Sequence, residues 1–437
     1  MGDKRRNEHF ASIINGINKQ PGSSIPKRSE SWYEANTTYN FFSNADITIP
    51  ELQKAIEYYG GNKVKGLKKV LAAHNFCQVS YNNLAAVELG YLANKDGRGI
   101  ITYNSFAISE DGIPLSLLYQ QTFLRPLEDL GKAKLRKEIP FEEKESYYWY
   151  KGITKVNEQL SNELHKIHIA DREADIYNLF FCAFETYTDL LIRAKHNRKL
   201  DGGSALWDSV GQQDAAVTME LQIPDKTGNK RVPITVEVRY HNVEILRPKD
   251  SGSEYESVCM SAIELKQVSP KGGMAGRIIA LETADNTKLY QVSEALQCVK
   301  WYCYRWLIVR FHYISKSGTQ IEALQLKEAG SLQKTIHVYS IAAMHLMQLT
   351  YQARQTPDVS CEVVLTKQQW AALYMLIHKT NIIPEHPPTL GEAVKWIGRL
   401  GGHLGRKPDG TLGLKTVWRG YQWMCDAESV YGIMTPT

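Results

Sequence analysis

The sequence predicts an α/β protein in which a sheet with some parallel pairing lies between helical regions at the two ends of the chain. Between residues 70 and about 200, short apolar strands alternate with helices, which favours parallel pairing. Between residues 216 and 267, apolar and polar residues alternate at period two without a helix, which indicates an antiparallel β insertion. We therefore expect a helical region over 1–69, an α/β core over 70–334 with an insertion at about 205–275, and a helical region over 335–437.

The helical N-terminal region carries two clusters of basic residues. One cluster lies at residues 4–6 and the other at 63–69, and the loop stretch QPGSSIPKRS falls between them. The core then begins with the short apolar strand VLAA, followed by the longer strands GIITYNSFAIS and GIPLSLLYQQTFL. Glu110, Asp111 and Gly112 form a turn signal between the two longer strands, so these are expected to pair as a hairpin.

The sequence that follows in the core predicts two parallel strands joined by a helix. The strand KIHIAD ends on Asp171, the helix READIYNLFFCAFE follows at once, and the strand DLLIRAK comes next. We expect the antiparallel insertion that follows to lie outside the main sheet. One long helix is predicted from about residue 293 to residue 315, and the chain beyond residue 335 is predicted to be mostly helical.

Composition places the chain among soluble proteins with two or three domains. None of its 437 residues fall in an apolar run long enough for a membrane span, and the charged start MGDKRRNEHF predicts no signal peptide. We therefore expect a cytoplasmic protein. The net charge of +5 permits a nucleic-acid partner without requiring one. The seven cysteines are scattered and include no C-x-x-C pair, so we expect reduced, mostly buried thiols rather than disulfides or a zinc site.

Asp171 is the first candidate for chemistry. It stands at the carboxyl end of an apolar strand and directly before a helix, where open α/β sheets present polar groups to ligands. A carboxylate at this place is suited to hold a metal ion. The alternative is that Asp171 caps the following helix, because aspartate is among the favoured capping residues.

A stripe of residues on the predicted long helix is the second candidate. The residues Tyr302, Arg305, Val309, His312 and Lys316 follow one another at spacings of three or four, which places them on one helix face. Arginine and lysine on such a face are able to hold phosphates, the arginine through two parallel hydrogen bonds. The alternative is an amphipathic helix whose basic residues are merely solvated.

A basic cluster after the strand DLLIRAK is the third candidate. It contains Arg193, Lys195, Arg198 and Lys199, and it lies beside the strand that follows Asp171. The cluster predicts a track for DNA phosphates, although runs of this kind are also common on solvated surfaces.

Four segments in the same order resemble the bacterial DDE transposases of the insertion-sequence-four group, which includes the Tn-five transposase. GDKRRNEHFASIINGI with SWYEANTTYNFF resembles the DNA-binding region of this family, and NKDGRGIITYNSFAISEDGIPLSLLYQQTFLRP resembles the paired strands of its core. ADREADIYNLF is similar to the segment with the second catalytic aspartate. Tyr302, Arg305, Val309 and Lys316 match the spacing of the family signature Y-x2-R-x3-E-x6-K.

The resemblance implies an RNase H-like, retroviral integrase-type core interrupted by a β insertion. It also implies a helical DNA-binding region before this core and a helical dimerisation region after it. Strand breakage in the family uses two divalent cations, Mg²⁺ or Mn²⁺, held by three acidic residues. The implied partners are double-stranded DNA with inverted-repeat ends and a second transposase chain, either identical or related, in a bacterial nucleoid.

This sequence departs from the family at two of the three acidic positions. The stretch HNFCQVSY places Asn75 where the first aspartate belongs, and the signature places Val309 where its glutamate belongs. Asp171 is the one acid retained, so we expect Mg²⁺ or Mn²⁺ not to be bound productively. The stretch RIIALET also lacks a tryptophan that the family uses when it flips a base during hairpin formation.

The sequence therefore predicts a transposase-family protein that binds DNA without cutting it, as a repressor or as a dominant-negative inhibitor of an intact relative. The predicted DNA contacts are Tyr302, Arg305, His312, Lys316, Arg193, Lys195 and Arg198. The alternative is an active transposase or nuclease with a displaced two-metal site, for which Glu88, Asp96, Glu282 and Glu322 lie near the motifs but out of register. A decayed copy without a role is the third possibility.

Overall fold

A computed structural model describes residues 3–84, 87–94, 96–131, 139–186, 188–224, 231–249, 251, 253–268, 274–281, 291–406 and 412–434. The helices of this part are α1 (Lys4–Lys19), α2 (Ile25–Arg28), α3 (Trp32–Ser43), α4 (Ile49–Val64), α5 (Tyr147–Gln159), α6 (Tyr177–Glu185), α7 (Leu206–Gly211), α8 (Val292–Cys303), α9 (Trp306–Tyr313), α10 (Ala329–Gln355), α11 (Lys367–His378), α12 (Leu390–Leu400) and α13 (Leu414–Met434). None of them combines the length and apolarity that a membrane span requires.

Helices α1, α3 and α4 of the N-terminal region each begin at a capping residue. Asp3 accepts hydrogen bonds from the first amides of α1, and Ser31 does the same for α3. Thr48 and Glu51 form a reciprocal capping box at the start of α4. The buried faces of α1 and α3 share an apolar core with the first half of α10, so the two ends of the chain pack together.

The strands form one mixed sheet. They are β1 (Lys69–Ser80), β2 (Gly90–Tyr91), β3 (Arg98–Ile108), β4 (Pro114–Phe123), β5 (His165–Ala170), β6 (Asp189–Arg193), β7 (Val217–Pro224), β8 (Arg231–Leu246), β9 (Ser257–Gln267) and β10 (Met274–Leu281). Strand β1 pairs with β3 antiparallel and with β5 parallel, and β5 pairs with β6 parallel. The predicted hairpin is confirmed as β3 and β4, joined by a turn in which Gly112 has a φ of +85°.

The antiparallel β insertion is confirmed, but its predicted place outside the main sheet is wrong. Strands β7, β8 and β9 pair in sequence, β9 pairs with β10, and β10 pairs antiparallel with β6. The order along the sheet is therefore β2-β3-β1-β5-β6-β10-β9-β8-β7, with β4 on β3. Without β10, the backbone N–H and C=O groups on the outer edge of β6 would have no hydrogen-bond partners, and β10 supplies these partners.

Helices cover both faces of the sheet. Alternate residues of β1 face opposite sides, with Val70 and Ala72 packed among α5 and α6, and Leu71 and Ala73 packed among α8, α9 and the C-terminal helices. Both clusters of side chains are almost fully buried. The architecture is thus a mixed α/β fold with helical regions at either end of the chain.

Three helix predictions need correction or qualification. The helix expected directly after Asp171 begins as a 3-10 turn over Arg172–Ala174, and α6 starts only at Tyr177. The long helix expected from 293 to 315 is broken between α8 and α9, and a π-helical turn follows over Ile314–Gly318. Helix α10 runs across the predicted boundary between residues 334 and 335.

The break between α8 and α9 coincides with a contact between distant segments. The ring of Tyr304 packs so closely on Gly112 that a Cβ there would lie 2.5 Å from its Cε1 atom. The periodicity of side chains along a helix depends only on neighbouring residues and cannot reveal a contact with a distant turn. The sequence pattern therefore predicts an uninterrupted helix.

Four of the seven cysteines are buried, as expected for core thiols: Cys182, Cys298, Cys361 and Cys425. Cys77 is partly exposed, and Cys259 and Cys303 are exposed.

Candidate active site and nucleic-acid interface

The parallel pairing of β1 and β5 brings Asn75 and Asp171 to neighbouring positions. The last register pair on these strands is Ala73 with Ile169, and Asn75 and Asp171 each lie two residues further along. Because side chains alternate along strands, the two residues share the sheet face that α8 and α9 cover. The structure thus places Asn75 beside Asp171.

The side chains of Asp171 and Asn75 are partly exposed, and each already accepts one local hydrogen bond. An Asp171 carboxylate oxygen accepts from the amide of Glu173 at 2.8 Å, which caps the 3-10 turn. The Asn75 Oδ1 atom accepts from the amide of Phe76 at 3.0 Å. The capping role anticipated for Asp171 is therefore present.

Tyr302 and Arg305 border Asp171 at the break between α8 and α9. The guanidinium of Arg305 lies over the Tyr302 ring, 5.9 Å from its centroid. Burial raises the pKa of Tyr302, the charges of Arg305 and Arg193 oppose this shift, and the charge of Asp171 adds to it. These electrostatic contacts join Tyr302, the two arginines and Asp171 in one cluster.

Val309 supplies no donor atom to this cluster. It lies on α9 one turn after Arg305, and 46% of its surface is exposed. The position where the family signature has a glutamate is therefore apolar and open to solvent.

His312 lies inside the protein, where only 8% of its surface is exposed. Its Nε2 atom is 3.0 Å from the Nδ2 atom of Asn104, which can donate to it, and Asn104 is the register partner of Asn75 on β3. Burial and the nearby cations Lys316 and Arg305 lower the pKa of His312 to about 3. The ring is therefore neutral near pH 7 and supports the sheet behind the site.

Asn104 belongs to a buried polar network that the sequence analysis missed. Its Oδ1 atom accepts from Gln120 at 2.8 Å, and Gln120 also donates to the Ser340 hydroxyl at 2.8 Å. The network links α9, β3, β4 and α10 directly behind Asn75. A polar residue in the middle of the apolar strand ITYNSFAI was the available signal.

Lys316 is held at the far end of the stripe by Glu322. Its ammonium lies 2.9 Å from the Glu322 carboxylate, which also accepts from the amide of Ser80 at 2.8 Å. About one third of each side chain is exposed. Glu322 is thus engaged with a lysine and a backbone amide.

The basic cluster after β6 divides into exposed and buried members. Arg193 and Lys195 are exposed beside the site. Arg198 is 8% exposed, and its guanidinium donates to Asp175, at 3.0 Å from Nε to the carboxylate and 2.8 Å to the carbonyl. The carboxylate of Asp175 also accepts from the amides of Lys195 and His196. Arg198 therefore fixes the loop and presents no free charge to a phosphate.

The side chains of Asp171, Asn75 and Val309 do not fit two divalent cations. Asp171 contributes one negative charge, Asn75 contributes a neutral oxygen, and Val309 contributes nothing. Within the described ranges, no group of three or more His, Cys, Asp or Glu side chains is arranged to hold a metal ion. Glu282 lies outside the described residues.

Comparisons with known proteins find matches at both ends of the chain. Residues 1–47 match the family model described as transposase DNA-binding, and residues 341–431 match the Tn5 transposase dimerisation domain. A chain from the cryo-EM structure of the piggyBac transposase synaptic complex with hairpin DNA aligns over 100% of this chain and 74% of its own length. Its identity is 8% and its TM-score is 0.38, which is too low to assign the fold. The two family models together support a transposase-family DNA-binding protein of the Tn5 type.

Proposed function

We propose that this protein binds the double-stranded, inverted-repeat ends of a transposon without cutting them. In this role it acts as a repressor, or as a dominant-negative inhibitor that pairs with an intact relative. The observation that carries the proposal is the composition of the site: Asp171 lies beside Asn75, and Val309 stands at the glutamate position of the family signature, while Arg305 and Arg193 remain near Asp171. Cleavage needs the carboxylates, whereas DNA binding needs the cations.

The geometry supports a DNA-binding surface at this place. Arg305 and Arg193 both lie near enough to Tyr302 for their charges to oppose the rise in its pKa that burial causes, and Lys195 is exposed on the loop after β6. Lysine and arginine that neutralise backbone phosphates release condensed counterions, which drives binding whatever the DNA sequence. The partly exposed Tyr302 ring, which lies beneath the Arg305 guanidinium, is proposed to contact a sugar or a base at the edge of this surface.

The core supports the RNase H-like assignment that the resemblance implies. Its strands run in the order β4-β3-β1-β5-β6, with antiparallel pairing up to β1 and parallel pairing beyond it. The resemblance puts the first acid on the first core strand and the second acid in the segment ADREADIYNLF. Asn75 lies on β1, and Asp171 directly follows the adjacent parallel strand β5, which supports this alignment.

The second candidate function is an active transposase with a displaced two-metal site. It requires carboxylates other than the lost ones to converge on Asp171. Glu322 is engaged by Lys316 and by the Ser80 amide, and Glu88 lines a separate cavity beside Tyr81. We therefore favour binding without cleavage.

A selection experiment separates the two functions. The purified chain is incubated with fragmented bacterial DNA and Mn²⁺, and the bound fragments are recovered and sequenced for both enrichment and new ends. We expect enrichment of a repeat without new ends. Cleavage at that repeat by the natural chain, abolished in Asp171→Ala, would contradict the proposal and establish an active site.

The Arg305→Ala variant tests whether the signature helix is part of the DNA surface. We expect at least a tenfold increase in Kd, since a hydrogen bond to a charged group contributes about 1.5–3 kcal/mol. The slope of log K against log salt is expected to become shallower by about 1, which is the contribution of one phosphate contact. Fluorescence anisotropy with an enriched fragment measures both quantities.

The matched control for Arg305→Ala is Arg399→Ala, which removes an exposed arginine from α12. Its affinity and salt slope are expected to equal those of the natural chain. Equal losses in the two variants would show that only net charge matters and that the signature helix makes no specific contact.

A further inference from the structure

A cavity of about 410 Å³ lies apart from the candidate active site. It is open to solvent and is bordered by the start of α5 with the short turn before it, by one face of α6, and by the loop between β8 and β9. Neither Asp171 nor any predicted DNA-contact residue lines it. Its volume falls in the range of sites that bind small molecules or single side chains.

Aromatic rings form the walls of this cavity. Phe181 of α6 stacks on Tyr255 with ring centroids 4.1 Å apart and planes 8° from parallel. Tyr147 and Tyr150 stack at 5.4 Å, and Phe141 meets both of them edge-on. The mutual stacking fixes the orientation of the rings before any ligand arrives.

The charged residues that line the cavity are all acidic. They are Glu142, Glu185 and Glu254, and no lysine or arginine is among its described lining residues. The Tyr150 hydroxyl donates to the Glu185 carboxylate at 3.3 Å, and burial with the charge of Glu185 raises the pKa of Tyr150 to about 12. The nearby Arg247 is exposed and donates to the Ser253 carbonyl at 2.7 Å.

We propose that this cavity binds an arginine side chain presented by a segment of another protein. Rings with electron-rich faces attract cations, and a planar guanidinium also stacks on them. The three carboxylates complement its charge and accept its hydrogen bonds. The same carboxylates repel phosphate, so the partner at this cavity is a basic protein segment and not DNA.

The test uses the full chain labelled with 3-fluorotyrosine and ¹⁹F NMR titrations at constant ionic strength. The ligand is N-acetyl-arginine methylamide, and the neutral comparison is N-acetyl-citrulline methylamide, which has nearly the same shape. Tyr147→Phe and Tyr255→Phe assign the two reporter signals. We expect arginine to shift these signals saturably and citrulline to bind at least tenfold more weakly.

A triple variant, Glu142→Gln with Glu185→Gln and Glu254→Gln, tests the carboxylates. It is expected to weaken arginine binding at least fivefold. A control with three exposed glutamates changed elsewhere, Glu163→Gln, Glu220→Gln and Glu385→Gln, is expected to bind as the natural chain does. Equal binding of citrulline, unaltered binding by the triple variant, or absence of saturable shifts would each overturn the proposal.

Discussion

Introducing acids at the two positions where the family resemblance expects them, by Asn75→Asp together with Val309→Glu, is expected to raise the affinity for Mn²⁺ at least tenfold. The change adds two anionic oxygen ligands beside Asp171, and hard divalent cations prefer such ligands. Isothermal titration calorimetry of the natural and the double-variant chains with Mn²⁺ measures the difference. This gain rests on the register between β1 and β5 and on the alignment of the signature helix.

Both substitutions are compatible with the surrounding packing. Asparagine and aspartate have the same shape, and 46% of the surface of Val309 is exposed, so glutamate displaces no core side chain. The matched control is Asn44→Asp with Val363→Glu, which adds the same two charges at exposed positions elsewhere. Adding Asp171→Ala to the restored variant should abolish the gain. Equal Mn²⁺ affinity in the restored and control variants would refute the assigned acidic positions.

Removing the guanidinium of Arg198 is expected to cause the largest loss of stability. The Arg198→Ala variant leaves the buried carboxylate of Asp175 without its cation, and breaking a buried pair in this way costs about 3–5 kcal/mol. We expect that loss in the free energy of unfolding, measured by urea denaturation. Arg193→Ala, which removes an exposed arginine five residues earlier, is expected to change the free energy by less than about 0.5 kcal/mol.

A double variant distinguishes the contribution of the Arg198–Asp175 ion pair to stability from that of the packing around it. Arg198→Leu with Asp175→Asn removes both charges, and we expect it to recover most of the lost stability, because a buried ion pair is often replaceable by neutral groups. Its DNA affinity and salt slope should match those of the natural chain, since Arg198 faces Asp175 rather than the surface. A loss of DNA affinity in this stably folded variant would show that Arg198 contacts DNA after all.

Local patterns were sufficient to predict most elements of the core. Period-two alternation located β3, β4 and the antiparallel insertion, and the turn at Gly112 joined the hairpin, because both signals depend on neighbours along the chain. The position of Asp171 at the end of β5 was also readable, since it requires only the strand and the residue that ends it. The stripe on α8 and α9 gave the correct elements but concealed the break at Tyr304.

Contacts across the sheet were not readable from spacing. The insertion was expected to stand apart, yet it continues the sheet because β10 satisfies the open edge of β6. A strand pattern records which side chains are apolar and says nothing about which backbone edge they will meet. For the same reason the network of Asn104 and Gln120 left only one local signal, the polar residue in the apolar strand ITYNSFAI, because its other members come from distant segments.

The sequence by itself determined most of the strand and helix content, the resemblance to transposases and the residues that this resemblance aligns with the three acids of the family. Tertiary structure alone decided which polar residues are available to a ligand. Arg198 belongs to the same basic cluster as Arg193, and His312 to the same helix stripe as Arg305. Arg198 is nevertheless buried against Asp175, and His312 is buried against Asn104. Burial depends on what packs against a residue from distant segments, and that packing sets both its charge and its access to DNA.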